Sequence, residues 1–231
     1  MPERFAIYYA PATDSLLWRL SCNWLGRDPS KRIQDRPEIP GVERAILDRA
    51  IVSAKRYGFH ATIKAPMALR PGTTLDDLDM QLKLFASDNA SVSIGRIELR
   101  LIEGFLALVP VPQSRELTDF AGLVVEHFDS FREPPDPTEL ARRNAANLSD
   151  RQKWLLERYG YPYVLEQFQF HMTLTDRLAG DSREAVIAAA RNWFAPVLSA
   201  PLTLDRLALF WERDSGTPFQ RLEDYELKGN G

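Results

Sequence analysis

Phe168-Gln169-Phe170-His171-Met172-Thr173-Leu174-Thr175 and Phe59-His60-Ala61-Thr62-Ile63-Lys64 are the stretches that decide the fold. Every second side chain of a strand shares a face. In the longer stretch Phe168, Phe170, Met172 and Leu174 are apolar, and Gln169, His171, Thr173 and Thr175 oppose them. In the shorter one Phe59, Ala61 and Ile63 oppose His60, Thr62 and Lys64. Each reads as a strand with one face on a core and the other, dense in hydrogen-bonding groups, toward a cleft or water. The chain holds three histidines and ten threonines. Two histidines that each follow Phe and each have Thr two places on are a rare coincidence for independent positions.

The segments downstream of the two histidines are also alike. After His60 the pattern predicts a helix near 75–86, strands near 93–101 and 105–110, and a tight turn at Glu103-Gly104. After His171 it predicts a helix over 182–194, a strand over 202–211, a turn at Asp214-Ser215-Gly216 and a strand over 218–227. The same order in both places suggests a duplicated unit. The expected fold class is therefore α+β, with two related lobes, each an antiparallel sheet with helices outside, facing each other across a central cleft. The expected division is 1–112 for the lobe with His60, 113–164 for a helical insertion and 165–231 for the lobe with His171.

Around these units Phe5–Tyr9 reads as a first strand, and Thr13 as the cap of a helix that Gly26 stops. Residues 27–42 read as a loop, and a second helix is expected over 43–54. The insertion opens with an apolar-periodic helix near 113–130. Beyond the break EPPDP at 133–137, Asp136/Glu139 and Ser149/Gln152 read as capping boxes, with Gly160 and Pro162 closing the second helix.

A chain of 231 residues, 45% hydrophobic and 26% charged, has the profile of a globular protein with a sizeable core. No apolar run reaches the roughly 20 residues of a membrane helix. The start, MPERFAIYYAP, reads as a strand rather than a leader. The single cysteine, Cys22, leaves no internal disulfide to form, so a reducing cytoplasm is the expected compartment. A net charge of −3 weighs against long nucleic acid, which calls for a basic face, and leaves a small phosphorylated substrate as the expected partner. The oligomeric state is left open.

Paired histidines suit in-line attack at a phosphodiester. One takes a proton from the nucleophile while the other protonates the leaving oxygen, and an imidazole can do either near neutral pH. The candidate catalytic residues are His60 and His171. Thr62 and Thr173 are placed to donate to the non-bridging phosphate oxygens. Lys64, Arg56 and Tyr8 are candidate ligand-binding residues. No metal or other cofactor is expected, since two histidines without a third ligand motif make a poor zinc site. His127, in a helix with no Thr at +2, reads as interhelical. Arg142 and Arg143 read as a solvated helix face, and Trp18, Trp24, Trp154 and Trp193 as packing.

On the motifs His60-Ala-Thr62-Ile and His171-Met-Thr173-Leu the sequence resembles the 2H phosphoesterases, named for two H-x-[T/S]-x motifs. The wider strings RYGFHATIKAP and YGYPYVLEQFQFHMTLTDRL resemble a branch found near bacterial phosphonate-utilisation genes. The resemblance implies a bilobal fold and metal-independent cleavage of cyclic phosphodiesters, or the related RNA-end ligation. The expected function is a phosphoric diester hydrolase acting on a cyclic sugar phosphate or nucleotide. A 2′-5′ ligase or oligonucleotide phosphodiesterase, and a non-catalytic module that binds a phosphometabolite, are the alternatives.

Overall fold

The strands that begin just after the two histidines, β2 (Ala61–Met67) and β6 (Met172–Arg177), pair antiparallel at one position, Ala61 with Met172. This geometry comes from a computed structural model that describes residues 3–31, 36–134, 148–180 and 182–229. Each strand begins at the shared pair and runs away from the other, so the two overlap only at their first residues and then diverge. The remaining strands of this sheet are β1 (Arg4–Tyr9), β4 (Ile97–Ile102), β5 (Phe105–Pro110), β8 (Arg206–Glu212) and β9 (Gln220–Glu226). Their order is β4-β5-β6-β2-β1-β8-β9, and every neighbour pair is antiparallel. A separate ribbon joins β3 (Val92–Gly95) to β7 (Leu202–Leu204). The architecture is α+β, two antiparallel half-sheets hinged at one residue pair.

The halves of the sheet are not the halves of the sequence. The β4–β5 hairpin, which comes after His60 in the chain, pairs with β6, the strand of His171. The β8–β9 hairpin, which comes after His171, pairs through β1 with the half that holds β2. Chain order therefore does not divide the molecule at 112 and 165 as expected. A crossover through a helix offers a hairpin either of two sheet edges, and here each hairpin covers the edge of the other unit. β3 and β7, the equivalent short strands of the two units, pair with each other.

Local chemistry explains most of the elements. Helix α1 (Leu16–Leu25) starts at Ser15, whose side chain accepts from the Trp18 N–H, rather than at Thr13. It stops at Gly26, whose φ of 63° suits a residue without Cβ. The expected helix over 43–54 is two short helices, α2 (Arg44–Ala50) and α3 (Val52–Tyr57), broken at Ile51. Helix α4 (Leu75–Asp88) opens on a Thr74/Asp77 capping box. Helix α5 (Arg115–His127) leads into a 3-10 turn over Phe128–Phe131, and α6 (Asp150–Tyr159) carries the Ser149/Gln152 box and ends at Gly160. Helix α7 (Ser182–Leu198) runs past its expected end at 194. The Asp136/Glu139 box, Arg142 and Arg143 lie outside the described residues.

The expected strand over 93–101 is interrupted after Gly95, which lets β3 leave the large sheet for its ribbon. The expected strand over 166–175 starts only at Met172, because Leu165–Gln167 coil into a 3-10 turn. Trp18 and Trp24 are buried, and the Trp24 indole donates to the Leu174 carbonyl of β6 at 2.9 Å. Trp154 departs from the expected packing role: it is exposed, with the Arg151 guanidinium 4.4 Å from its ring centroid. His127 packs edge-on to Phe85 and Phe128, an interhelical position.

Candidate active site

The pair Ala61–Met172 sets the site. Counting one residue outward in the antiparallel register brings His60 opposite Thr173, and Thr62 opposite His171. All four side chains leave the face opposite to the buried Ala61 and Met172. The two histidines then sit on a diagonal of the pair, a separation of about 7–8 Å between backbones.

The two rings are oriented by the same device. His60 Nδ1 lies 2.9 Å from the Gly58 carbonyl, and His171 Nδ1 lies 2.8 Å from the Gln169 carbonyl. A carbonyl only accepts, so each Nδ1 carries the hydrogen, which leaves Nε2 as the acceptor nitrogen of each neutral ring. The Thr62 hydroxyl, 3.2 Å from His60 Nε2, donates to it. Gly58 makes this possible with a φ of 79°, and a Cβ there would stand 2.2 Å from Pro29 Cγ. Burial pushes the His60 imidazole down to about 4, the Gly58 contact opposing it and the proximity of His171 adding to it. At neutral pH His60 is therefore uncharged.

A cavity of about 300 Å³ opens over His60, Thr62 and Thr173, and His171 is not among the residues that line it. Its lining includes His60, Thr62, Thr173 and Tyr8, together with Tyr57 from the end of α3, Tyr161 from beyond α6, and Ser53, Ala65 and Asp176. The Asp176 carboxylate accepts from the Ser53 and Ala54 N–H groups and so ties β6 to α3. Tyr57 and Tyr161 escape a sequence reading. Tyr57 lies at the end of α3, just before the positive φ of Gly58, and Tyr161 lies in a stretch without periodicity.

The other candidates part company. Tyr8 lines the cavity, while its neighbour Tyr9 packs on Phe170 with ring centroids 5.8 Å apart. Lys64 does not line it. Tyr8 pairs with Thr62 but Ile7 pairs with Lys64, so β2 carries an extra residue, Ile63. That bulge shifts the parity of the strand, and Ala65 takes the cleft position. Lys64 is instead 3% exposed, and donates to Asp129 at 3.3 Å and to the Val125 carbonyl at 3.1 Å. Burial pushes its ammonium down to about 8, against the pull of Asp129. Burial would raise the Asp129 carboxyl, but the Arg132 hydrogen bond and the Lys64 charge outweigh it and hold it low.

Arg56 is likewise engaged elsewhere. It pairs with the buried Glu212, which also binds Arg4 at 2.5 Å and the Gly216 N–H at 3.0 Å. Its guanidinium lies 4.9 Å from the Tyr57 centroid, so it braces the wall of the cavity rather than lining it. Thr175, which shares parity with His171, is fully buried and accepts the Leu106 N–H at 2.9 Å across a bulge in the β5–β6 pair. Gln169 is exposed and contributes its carbonyl, not its side chain, to His171. Among the described residues no group of three or more His, Cys, Asp or Glu side chains is arranged to hold a metal, and no helix is long and apolar enough to cross a membrane.

A family model described as "Protein of unknown function (DUF1045)" matches residues 62–220. Two curated relatives, from Janthinobacterium sp. (strain Marseille) and Laribacter hongkongensis (strain HLHK9), both bear the name "Ribose 1,5-bisphosphate phosphokinase PhnN". The first is 35% identical over 99% of this chain and 51% of its own length, the second 34% over 94% and 50%. The chain thus spans about half the length of the curated relatives it matches. Among solved structures, one titled "Crystal structure of phosphoesterase" aligns with a TM-score of 0.44 at 13% identity, covering 98% of this chain and 99% of the other. Escherichia coli LigT complexed with 3′-AMP aligns at 0.43 and 13%, covering 98% and 99%.

Proposed function

We propose that this chain, which belongs to the family of proteins of unknown function DUF1045, is a metal-independent phosphoesterase that opens a small cyclic phosphodiester by paired-histidine acid–base catalysis. The observation that carries the reading is the register of β2 on β6, from which two Nδ1-anchored imidazoles and two threonine hydroxyls share one face at one point. In the reaction a water oxygen bonds to phosphorus as one Nε2 takes its proton. The bond from phosphorus to one ring oxygen breaks, and the other imidazole gives that oxygen a proton. Thr62 and Thr173 donate to the non-bridging oxygens as their charge grows.

The name of the curated relatives narrows the substrate. A phosphokinase of ribose 1,5-bisphosphate needs that compound supplied, and this sequence contains no G-x-x-x-x-G-K-[S/T] phosphate loop of its own. Ring opening of a pentose 1,2-cyclic phosphate at the O2 bond leaves the phosphate on O1, which is the class of product such a kinase consumes. A cyclic phosphate of ribose is therefore the proposed substrate, and phosphonate breakdown the proposed setting. A longer oligonucleotide is disfavoured, since no lysine or arginine is among the described residues lining the cavity.

The test is a panel of cyclic phosphates, including ribose 1,2-cyclic phosphate with and without a 5-phosphate, nucleoside 2′,3′-cyclic phosphates, and a 2′-5′ linked dinucleotide. Activity is expected on a pentose cyclic phosphate with chelator present. His60→Ala and His171→Ala should each lose about 10²- to 10⁴-fold in kcat with the fold intact. Full activity in either variant, or loss of activity to the chelator, overturns the reading.

A further inference from the structure

The two histidines are anchored alike but surrounded differently. The His60 ring lies flat against Tyr8, with centroids 3.8 Å apart and planes 19° apart. Phe210 and Tyr57 close two further sides at 6.1 and 6.2 Å. Behind Tyr8 stand Phe210 at 5.0 Å and Phe219 at 6.3 Å, and Phe219 is itself stacked on Tyr57 at 5.1 Å. Among the described residues His171 has one ring contact, Phe105 at 5.8 Å and tilted. Tyr8 is 0% exposed and pairs in register with Thr62, so it is built into the same two strands as the residues it supports.

We propose, building on the phosphoesterase reading, that Tyr8 is a positioning residue acting through His60: its stacked ring holds the imidazole edge-on to the cleft and dedicates it to accepting the proton of the attacking water, leaving His171 to protonate the departing oxygen. A ring fixed only at Nδ1 can still rock about that hydrogen bond. A flat contact across its whole face removes that freedom, and a displacement of about 1 Å at a reacting group can cost about 100-fold. The same face assists the transfer. An imidazole that gains a proton becomes a cation against a π-system, an attraction absent before the transfer. His171, with one tilted ring against it among the described residues, is left to follow a leaving oxygen as the bond to phosphorus lengthens. The phenol of Tyr8 itself stays neutral, because burial raises it well above its ordinary range.

The ionisable groups facing the His60 ring are Tyr8 from β1, Tyr57 from the end of α3 and His171 from the start of β6. Asp176 and Tyr161 line the same cavity. The experiment compares Tyr8→Phe, which keeps the ring, with Tyr8→Leu, which keeps bulk and loses the stack. Two readouts are taken: steady-state pH profiles on the cyclic phosphate that the wild type cleaves best, and an NMR titration of the histidine ring signals without substrate. Tyr8→Phe should retain activity within about threefold. Tyr8→Leu should lose about 10- to 100-fold in kcat with KM nearly unchanged. Its acid limb should move to lower pH, because the π-face that favours the protonated imidazole is lost while the bulk that buries His60 stays. The NMR titration should report the same downward move for His60.

An unmoved His60 titration and an unmoved kcat in a folded Tyr8→Leu protein overturn the proposal, and so does a loss in Tyr8→Phe equal to that in Tyr8→Leu. The NMR arm needs no turnover. A His60 signal that responds in a protein with no activity on any cyclic phosphate leaves the positioning role standing and sinks the reaction assigned to the site.

Discussion

Replacing Lys64 with methionine separates a structural lysine from a substrate ligand. The Lys64 ammonium is 3% exposed, its charge held between Asp129 and the Val125 carbonyl, and burial lowers it to about 8. An unfolded chain holds its lysine proton to about 10.4. Between those values the unfolded state binds more protons than the folded one, so the contribution of Lys64 to stability rises with pH through the window. Each unit of difference is worth about 1.4 kcal/mol, so from pH 8 to pH 10 the wild type should gain about 2–3 kcal/mol relative to Lys64→Met. Above pH 10 the buried tyrosines, raised by burial, oppose the trend as the unfolded chain loses their protons first. Urea unfolding followed by tryptophan fluorescence at pH 8, 9 and 10 reads the difference directly. KM for the cyclic phosphate should not change, because Ala65 rather than Lys64 faces the cavity. Parallel stability curves for the two proteins, or a KM raised tenfold in the variant, would refute the reasoning.

The same geometry sets two further outcomes. Thr175→Val keeps the shape of the side chain but strands the buried Leu106 N–H, so it should cost about 1–3 kcal/mol by urea unfolding while KM holds. Gly58→Ala forces a side chain onto a φ of 79° and against Pro29; it should lower both stability and kcat, since the displaced carbonyl is the one that holds His60, and an unchanged kcat would contradict that role.

Alternation along single strands is a local property, and it marked His60, Thr62, His171 and Thr173 as candidates, while local turn and cap chemistry found the turn at Glu103-Gly104 and the helix ends at Gly26 and Gly160. The alternation rule misled where a strand bulges. Lys64 and Thr175 share parity with the histidines in the sequence, but one extra residue in β2 and an irregularity between β5 and β6 turn them into the core. Arg56 was drawn off by Glu212, a partner 156 positions away.

From the order of its residues alone the protein owns two equivalent units and two histidine strands, because periodicity and caps act over a few residues. Which edge each hairpin covers, that the strands meet only at Ala61 and Met172, and that Tyr8 is stacked on His60 while Phe105 is tilted against His171 were decided by pairing between distant segments. Such contacts are selected by the packing of the whole core, and no window of the sequence contains both partners.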